Sequence, residues 1–231
     1  MIDWHSHILP WIDDGSRDLE ESIALLKLEA EQGVDTVVAT PHFFANDESA
    51  DDFIYRRQKS YETLTSALSD NAPEILLGAE VRYYPGIGKL ADLKKLCIGN
   101  TRLLLLEMPM EKWTDYTVRE LVDIEAARHV KLILAHIERY LPMQSENTWE
   151  KLYDAGIMMQ VNASFFTGFT TKRRALKSLL DGEIHFIGSD CHNVKYRPPR
   201  LGAAYETIRR KFGDNFVNQM NEYGKSMLKS K

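Results

Sequence analysis

Cysteine is almost missing from this 231-residue chain: Cys97 and Cys191 are the only two. They are too few for a disulfide framework and lack the Cys-x-x-Cys spacing of a thiolate metal site, so a reducing compartment is expected. Long apolar runs are missing as well. No segment approaches the roughly 18 uninterrupted apolar residues of a membrane span, and the opening Met-Ile-Asp-Trp-His carries no basic stretch leading into an apolar one. We therefore expect a cytoplasmic protein without membrane insertion. Positive charge is not in excess either. A formal net charge of −5 works against an extended grip on nucleic-acid phosphates, and no nucleic-acid partner is expected. No low-complexity linker divides the chain, and 44% hydrophobic residues over this length suit one core, so residues 1–231 read as a single domain. Two local clusters run against the overall charge, Lys172-Arg173-Arg174 and Arg209-Arg210-Lys211. They read first as solvated helix faces and second as a docking surface for an acidic partner.

What is present is an alternation of strand-like and helix-like segments. Runs rich in branched residues occur at Met1 to Trp4, Thr36 to Ala39, Ile75 to Val81, Leu103 to Leu106, Leu132 to Ala135, Met158 to Val161 and Ile184 to Ile187. Between the first two, Leu19, Ile23, Leu26 and Ala30 fall on one helical face that Ser16 or Asp18 can cap and Gly33 can end. Gly156 and Gly182 each stand where a helix turns into a strand. Seven strands with helices between them predict an α/β fold with a parallel sheet. His5 and His7, His42, Glu80, Glu107, His136 and Asp190-x-His192 each stand at or just beyond the C-terminal end of a different strand-like run. Those ends converge on one mouth in a closed barrel, which favours an irregular, TIM-like (β/α)7 barrel over an open sheet.

His5-x-His7 places two imidazoles on one side of a strand, a geometry suited to a chelate. A lone buried histidine is more often a hydrogen-bonded core residue, and His129 and His185 receive that structural reading, as a helix C-terminal and an intra-strand residue. Five histidines at strand ends ask for more. Glu80 and Glu107 end apolar runs, where an unpaired buried anion is costly. An ion pair with arginine can account for one of them; two acids meeting several imidazoles are better explained by cations. A histidine and carboxylate set without thiolate suits manganese, iron or zinc. Bridged ions of that kind activate water and stabilise both oxygens of an in-line displacement at phosphorus, although amide hydrolysis and deamination use similar metals. Arg139 and Arg197 stand three and five residues beyond His136 and His192, where each can grip phosphate oxygens or form a salt bridge at the rim.

Cys191 and Arg197 also form a Cys-x5-Arg spacing, as in thiol-dependent tyrosine phosphatases. That mechanism needs a glycine-bearing phosphate loop running into a helix and a depressed thiol pKa. No glycine lies between the two, Pro198-Pro199 follow at once, and period-two alternation turns Cys191 away from Asp190 and His192. The thiol route is therefore the weaker reading.

His-Ser-His-Ile-Leu-Pro with Asp13-Asp14-Gly15, Ala-Thr-Pro-His, Gly-Ala-Glu, Ala-His-Ile-Glu-Arg-Tyr and Ser-Asp-Cys-His-Asn follow one another from Met1 to about Arg200. In that order they resemble the polymerase-and-histidinol-phosphatase (PHP) superfamily, most closely the bacterial protein-tyrosine phosphatases of capsule and exopolysaccharide operons. The resemblance implies an irregular seven-stranded barrel with three divalent ions, often manganese, acting on phosphotyrosine in a bacterial tyrosine autokinase. It further implies one ion on His5, His7, Glu80 and Asp190, a second on Glu80, Glu107 and His136, and a third on Asp14, His42 and His192. Asp14 enters through the resemblance alone, and Arg139 and Arg197 match positions expected to bind phosphate. Trp11 and Phe43 depart from the pattern, standing where glycine and a second histidine are common. Phe43, Phe44, Tyr84, Phe165 and Phe166 are candidates for an aromatic wall beside the substrate ring or for core.

The expected activity is phosphotyrosine hydrolysis by direct attack of metal-bound hydroxide, without a covalent enzyme intermediate. The alternatives are a phosphatase for a small metabolite such as histidinol phosphate, a phosphodiesterase, or a noncatalytic module that binds a kinase or polymerase. From Phe212 to Lys231 the chain reads only as a polar helix of open role.

Overall fold

The computed structural model describes residues 1–90, 92–127 and 129–229. Nine parallel strand segments are present among them: β1 (Ile2–Ser6), β2 (Thr36–Ala39), β3 (His42–Phe43), β4 (Glu74–Leu77), β5 (Glu80–Arg82), β6 (Leu103–Glu107), β7 (Lys131–Leu134), β8 (Met158–Asn162) and β9 (Phe186–Gly188). They pair in the orders β1-β2-β4 and β3-β5-β6-β7-β8-β9, forming a curled parallel α/β sheet system. Helices α1 (Leu19–Glu31), α2 (Ala50–Thr65), α3 (Asp115–Ala126), α4 (Glu146–Asp154), α5 (Ser164–Thr167), α6 (Lys172–Leu180), α7 (Leu201–Phe212) and α8 (Asp214–Lys229) lie between or after the strands. None of the described helices is long and apolar enough to cross a membrane.

The sequence shows seven strand-like runs where the structure has nine segments, and the reason is local. Pro41 has no N–H to give to a ladder, and the neighbouring run is interrupted at Gly78-Ala79. The two breaks coincide: Ala39 pairs with Leu77 before them and His42 with Glu80 after them. Arg57 from α2 donates to the carbonyl of Gly78, which the ladder no longer uses, and Glu80 N–H finds Pro41 O at 3.0 Å. His42 and Glu80 therefore begin short strands rather than ending long ones. The last strand also starts later than expected, leaving His185 just ahead of it, with Nδ1 accepting from Met159 N–H at 3.2 Å.

Strands buried on both faces divide their apolar side chains between two cores. Leu104, Leu106, Leu132 and Leu134 face the helices in the larger cluster. Leu103, Leu105 and Ile133 point the other way, joining Ile2, Trp4, Val38, Met158 and Phe186. That second cluster draws side chains from β1, β2, β6, β7, β8 and β9, so the sheet must curl around it. Helix α8 closes its far end. Tyr223 stacks on Phe186 with ring centroids 5.9 Å apart, and a Cβ at Gly224 would stand 3.2 Å from Ile2 Cδ1. The polar tail of the sequence is thus a plug, described as far as Lys229; Ser230 and Lys231 lie outside the described residues.

Helix α1 is capped by Asp18, whose carboxylate accepts from Glu21 N–H at 2.8 Å, while Gly33 takes up a left-handed φ of +83° just beyond its end. Its buried face differs from the one expected. Ser22, Leu25, Leu26 and Glu29 point inward, whereas Ala30 is exposed and Leu19 and Ile23 are half-buried. Glu29 thereby comes close to Asp3 on β1 and to Cys191, where burial and the neighbouring acid hold its carboxyl well above the usual range.

Candidate metal centre

Glu80 is the hub of the site. Buried at the start of β5, its Oε2 stands 3.2 Å from His5 Nε2, 3.2 Å from His7 Nε2 and 3.1 Å from His42 Nδ1. Its Oε1 stands 2.9 Å from His136 Nε2. Asp190 Oδ1 lies 3.8 and 3.6 Å from the same nitrogens of His5 and His7. Asp14 Oδ1 lies 3.4 Å from His42 Nε2 and 3.5 Å from His192 Nε2. Glu107 Oε1 is 3.8 Å from His136 Nε2. All nine residues expected from sequence are gathered at one place.

The outer nitrogens are anchored, which aims the inner ones. His7 Nδ1 faces Asp13 Oδ2 at 2.8 Å, His192 Nδ1 faces the carbonyl of Asp190 at 3.0 Å, and His5 Nδ1 faces Gln160 Oε1 at 3.3 Å. Gln160 cannot be turned over, because Oε1 also accepts the backbone N–H of His136 at 2.6 Å. Each Nδ1 therefore carries its proton and each Nε2 directs a lone pair into the cluster, the arrangement by which outer partners orient metal-ligating histidines. His42 Nδ1 and His192 Nε2 are buried and make no hydrogen bond, although carboxylate oxygens of Glu80 and Asp14 stand 3.1 and 3.5 Å away, a costly condition unless something else binds them. The donor set fits divalent cations. Three groups in the cluster have ligand atoms close enough to share an ion: His7, Asp14, His42 and His192; His5, His7 and Asp190; and His42, Glu80 and Glu107; a fourth, Asp3, Glu29 and Cys191, does not include any of these residues. The third holds His42 where the resemblance implies His136.

Charge tells the same story. Burial alone would push Glu80 up, but His5, His136 and His7 around it hold its carboxyl well below the usual range. Burial likewise opposes ionisation of Asp190, and His5, His7 and Arg139 outweigh it. Burial works against charge on His5 and His7, yet the acids raise both imidazoles. His192 goes the other way, down to about 4, from burial and from the neighbouring His7. The cavity attracts cationic charge, whether protons or metal ions supply it.

Backbone geometry is tuned to the same end. His136 (φ 34°) and Asp190 (φ 53°) both occupy the left-handed region, uncommon for side-chain-bearing residues and frequent at functional sites. At Gly188 a Cβ would sit 2.5 Å from His5 Cβ, so the residue must be glycine for β9 to approach β1. Across that seam Asp190 N–H donates to His5 O at 2.8 Å and His7 N–H to Cys191 O at 2.9 Å.

The arginines are less free than a phosphate-binding role alone implies. Arg139 donates to Asp190 Oδ2, and Arg197 Nη2 is 2.7 Å from Asp190 Oδ1. Both guanidiniums line an open cavity of about 260 Å³ with Asn162, Ser164, Tyr196 and Arg200. Arg82 pairs with Glu107 at 2.7 Å, so an arginine ion pair does account for part of one glutamate. Phe43, Phe165 and Phe166 are core; Phe44 is exposed beside His42, with ring centroids 5.5 Å apart, and Tyr84 is half-buried. Trp11 is 62% exposed and carries a φ of 59°, a left-handed conformation that glycine adopts without steric cost. Cys191 is fully buried; burial, Glu29 and Asp3 push its thiol well up, and its Sγ lies 4.0 Å from Glu29 Oε1. It is turned away from the cavity and is no thiolate nucleophile.

Sequence reading missed Asp13, Gln160, Asn162 and Glu138. Asp13 holds His7, the backbone N–H of His42 at 3.0 Å and that of Gly15 at 2.9 Å. Asn162 donates to Asp190 Oδ2 at 2.8 Å. Gln160 and Asn162 carried a signal: alternate polar residues at the C-terminal end of an otherwise apolar strand.

A chain with this curled parallel fold and a histidine and carboxylate cluster is of the PHP metallohydrolase type. It belongs to the family described as capsular polysaccharide synthesis, CpsB/CapC, whose profile matches residues 1–228. The tyrosine-protein phosphatase CpsB of Streptococcus agalactiae is 31% identical over 254 residues, covering 100% of this chain and 99% of that one. The tyrosine-protein phosphatase YwqE of Bacillus subtilis is 28% identical over 240 residues, covering 100% and 92%. In solved form, a chain from the crystal structures of YwqE and Streptococcus pneumoniae CpsB, described as unique metal-dependent tyrosine phosphatases, superposes with a TM-score of 0.84. That match has 25% identity and covers 100% of this chain and 96% of the other.

Proposed function

We propose that this protein is a metal-dependent phosphotyrosine-protein phosphatase of capsular or exopolysaccharide synthesis, acting in the cytoplasm on the phosphorylated tail of a bacterial tyrosine autokinase. We read residues 1–231 as one domain and its two sheets as one irregular seven-staved barrel, a reading supported by the hydrogen bonds between β1 and the segment after β9. The observation that carries the function is Glu80, one buried carboxylate within 3.2 Å of His5, His7, His42 and His136.

In this reading His5, His7, Asp14, His42, Glu80, Glu107, His136, Asp190 and His192 hold three divalent ions, manganese first and iron or zinc next. Such ions, when bound, activate water near neutral pH and neutralise charge on the attacking and leaving oxygens. The chain's own residues do the rest. Asp13, Gln160 and Asn162 fix the directions of His7, His5 and Asp190. Arg139 and Arg197, already aimed at Asp190, present guanidinium N–H groups to the nonbridging oxygens of a phosphoryl group in the adjoining cavity. The buried, raised thiol of Cys191 takes no part.

The test is phosphate release by manganese-loaded protein from phosphotyrosine peptides, sugar phosphates and nucleotides, compared by kcat/KM. Preference for the peptides, abolished by chelation and restored by metal, is expected. A clear preference for a small metabolite would sink the protein-substrate reading.

A further inference from the structure

Phe169 is the most exposed large hydrophobic side chain among the described residues, at 103% of its reference area, and Leu180 is exposed at 61%. The loop that carries Phe169 is tied down at both ends. Thr171 Oγ1 donates to Phe165 O at 2.8 Å, Gly168 N–H to Ser164 O at 3.0 Å, and Lys172 N–H to Gly168 O at 3.0 Å. A Cβ at Gly168 would meet Thr171 Oγ1 at 2.4 Å. An aromatic ring held out by a fixed loop has little freedom left to lose on binding, as interface anchors require.

The ring overhangs a groove of about 510 Å³ between α6 and the end of α7, floored by Leu176 and Phe212. Its walls carry Lys172, Arg173, Lys177 and Lys211, and no acid lines it. Lys177 is paired with Asp181 at 2.7 Å; the other three make no ion pair among the described residues. On a chain of net charge −5, such a concentration of unpaired cations around an apolar floor complements an acidic segment with an apolar side chain. Of the two basic clusters noted in the sequence, Lys172 and Arg173 on α6 and Lys211 at the end of α7 reach this groove, while Arg209 and Arg210 are paired with Glu206 and Asp214.

The groove is also within reach of the metal centre. Ser164 lines the cavity at Asp190, and Phe169 follows five residues later. Because α5 and the bond from Gly168 N–H to Ser164 O make this segment a helical turn, the two Cα atoms are no more than about 10 Å apart, a span that about three residues of extended peptide cover. We infer that this groove docks an acidic stretch with an apolar anchor, a few residues from the phosphotyrosine in the same substrate chain. The inference rests on the phosphatase reading above.

The experiment compares a short neutral phosphotyrosine peptide with extended versions. These carry a Glu-rich, Leu- and Phe-bearing stretch a few residues away, on one side or the other. One extended peptide is expected to show a KM lower by about tenfold. Phe169→Ala and the double charge reversal Lys172→Glu/Lys211→Glu remove the gain while leaving hydrolysis of the short peptide unchanged. The gain also shrinks with added salt. Equal kcat/KM for short and extended peptides, or a gain that survives both variants, overturns the docking. If no peptide releases phosphate, the phosphatase reading fails instead. Docking is then decided by fluorescence anisotropy of the unphosphorylated extended peptides, where binding insensitive to the variants, or no binding, overturns it. Cosedimentation with phosphatidylglycerol vesicles, or self-association, that Phe169→Ala abolishes would assign the groove to a membrane or to a second copy and overturn it too.

Discussion

The Nε2 atoms of His5 and His7 face each other at 3.1 Å while their Nδ1 atoms are held by Gln160 and Asp13. Two lone pairs so close repel unless a positive charge lies against them. His7→Ala is therefore expected to lower bound metal, read by elemental analysis of the purified protein, and to reduce kcat/KM by about 10²-fold or more. Undiminished metal content in that variant would remove His7 from the ligand set.

Asp13 acts one step back from the ions, through His7 Nδ1 and the backbone N–H of His42. Losing such a partner ordinarily weakens metal affinity by roughly 10 to 100-fold. Asp13→Ala should accordingly require more metal for half-maximal activity while approaching wild-type kcat at saturation. A kcat loss that no metal concentration repairs would point to a direct role in the chemistry.

Cys191 is buried, and its thiol is pushed up rather than down. Cys191→Ala and Cys191→Ser should keep most activity, and alkylating reagents should not inactivate the folded enzyme. Loss of activity in both variants at unchanged thermal stability would revive the thiol route.

Glu138 supplies a pH test that is read in stability. Burial raises its carboxyl to about 7, although the N–H groups of Glu138 and Asn162 and the charge of Arg139 pull the other way. Its Oε2 is buried without a partner. Between the unfolded value near 4.5 and about 7, the folded state binds the extra proton, so unfolding free energy falls as pH rises through that window. Glu138→Gln should flatten the decline, by up to roughly 3 kcal/mol across it. Parallel pH curves for the two proteins in matched urea titrations would show that Glu138 ionises normally.

Arg139 and Arg197 both hold Asp190 with guanidinium N–H groups. Lysine retains the charge but not the planar fork. Arg139→Lys and Arg197→Lys should therefore lower kcat/KM for phosphotyrosine peptides by about 10-fold or more, and weaken inhibition by inorganic phosphate in parallel. Unchanged phosphate inhibition would confine the arginines to a structural role at Asp190.

The residues that gather at the site could be read from the chain before it folds. His5-x-His7, His42, Glu80, Glu107, His136 and Asp190-x-His192 were legible because imidazoles and carboxylates at the ends of apolar runs are too costly to bury for packing alone, and the parallel strands were legible in the apolar runs themselves. Asp14 needed the family likeness, since Asp13-Asp14-Gly15 in isolation is only a turn. Tertiary structure decided the rest. Two coincident interruptions, at Pro41 and at Gly78, split two strands and bring His42 level with Glu80, and no single run of sequence reports where its neighbour breaks. Glu29 faces inward beside Asp3 and Cys191, which the helical periodicity does not report, and the tail became a plug because Tyr223 and Gly224 meet Phe186, Ile2 and Trp4. The same limit explains Asp13, Gln160 and Asn162. Which side chain a hydrogen bond will orient depends on elements distant in sequence, and only the folded chain brings them together.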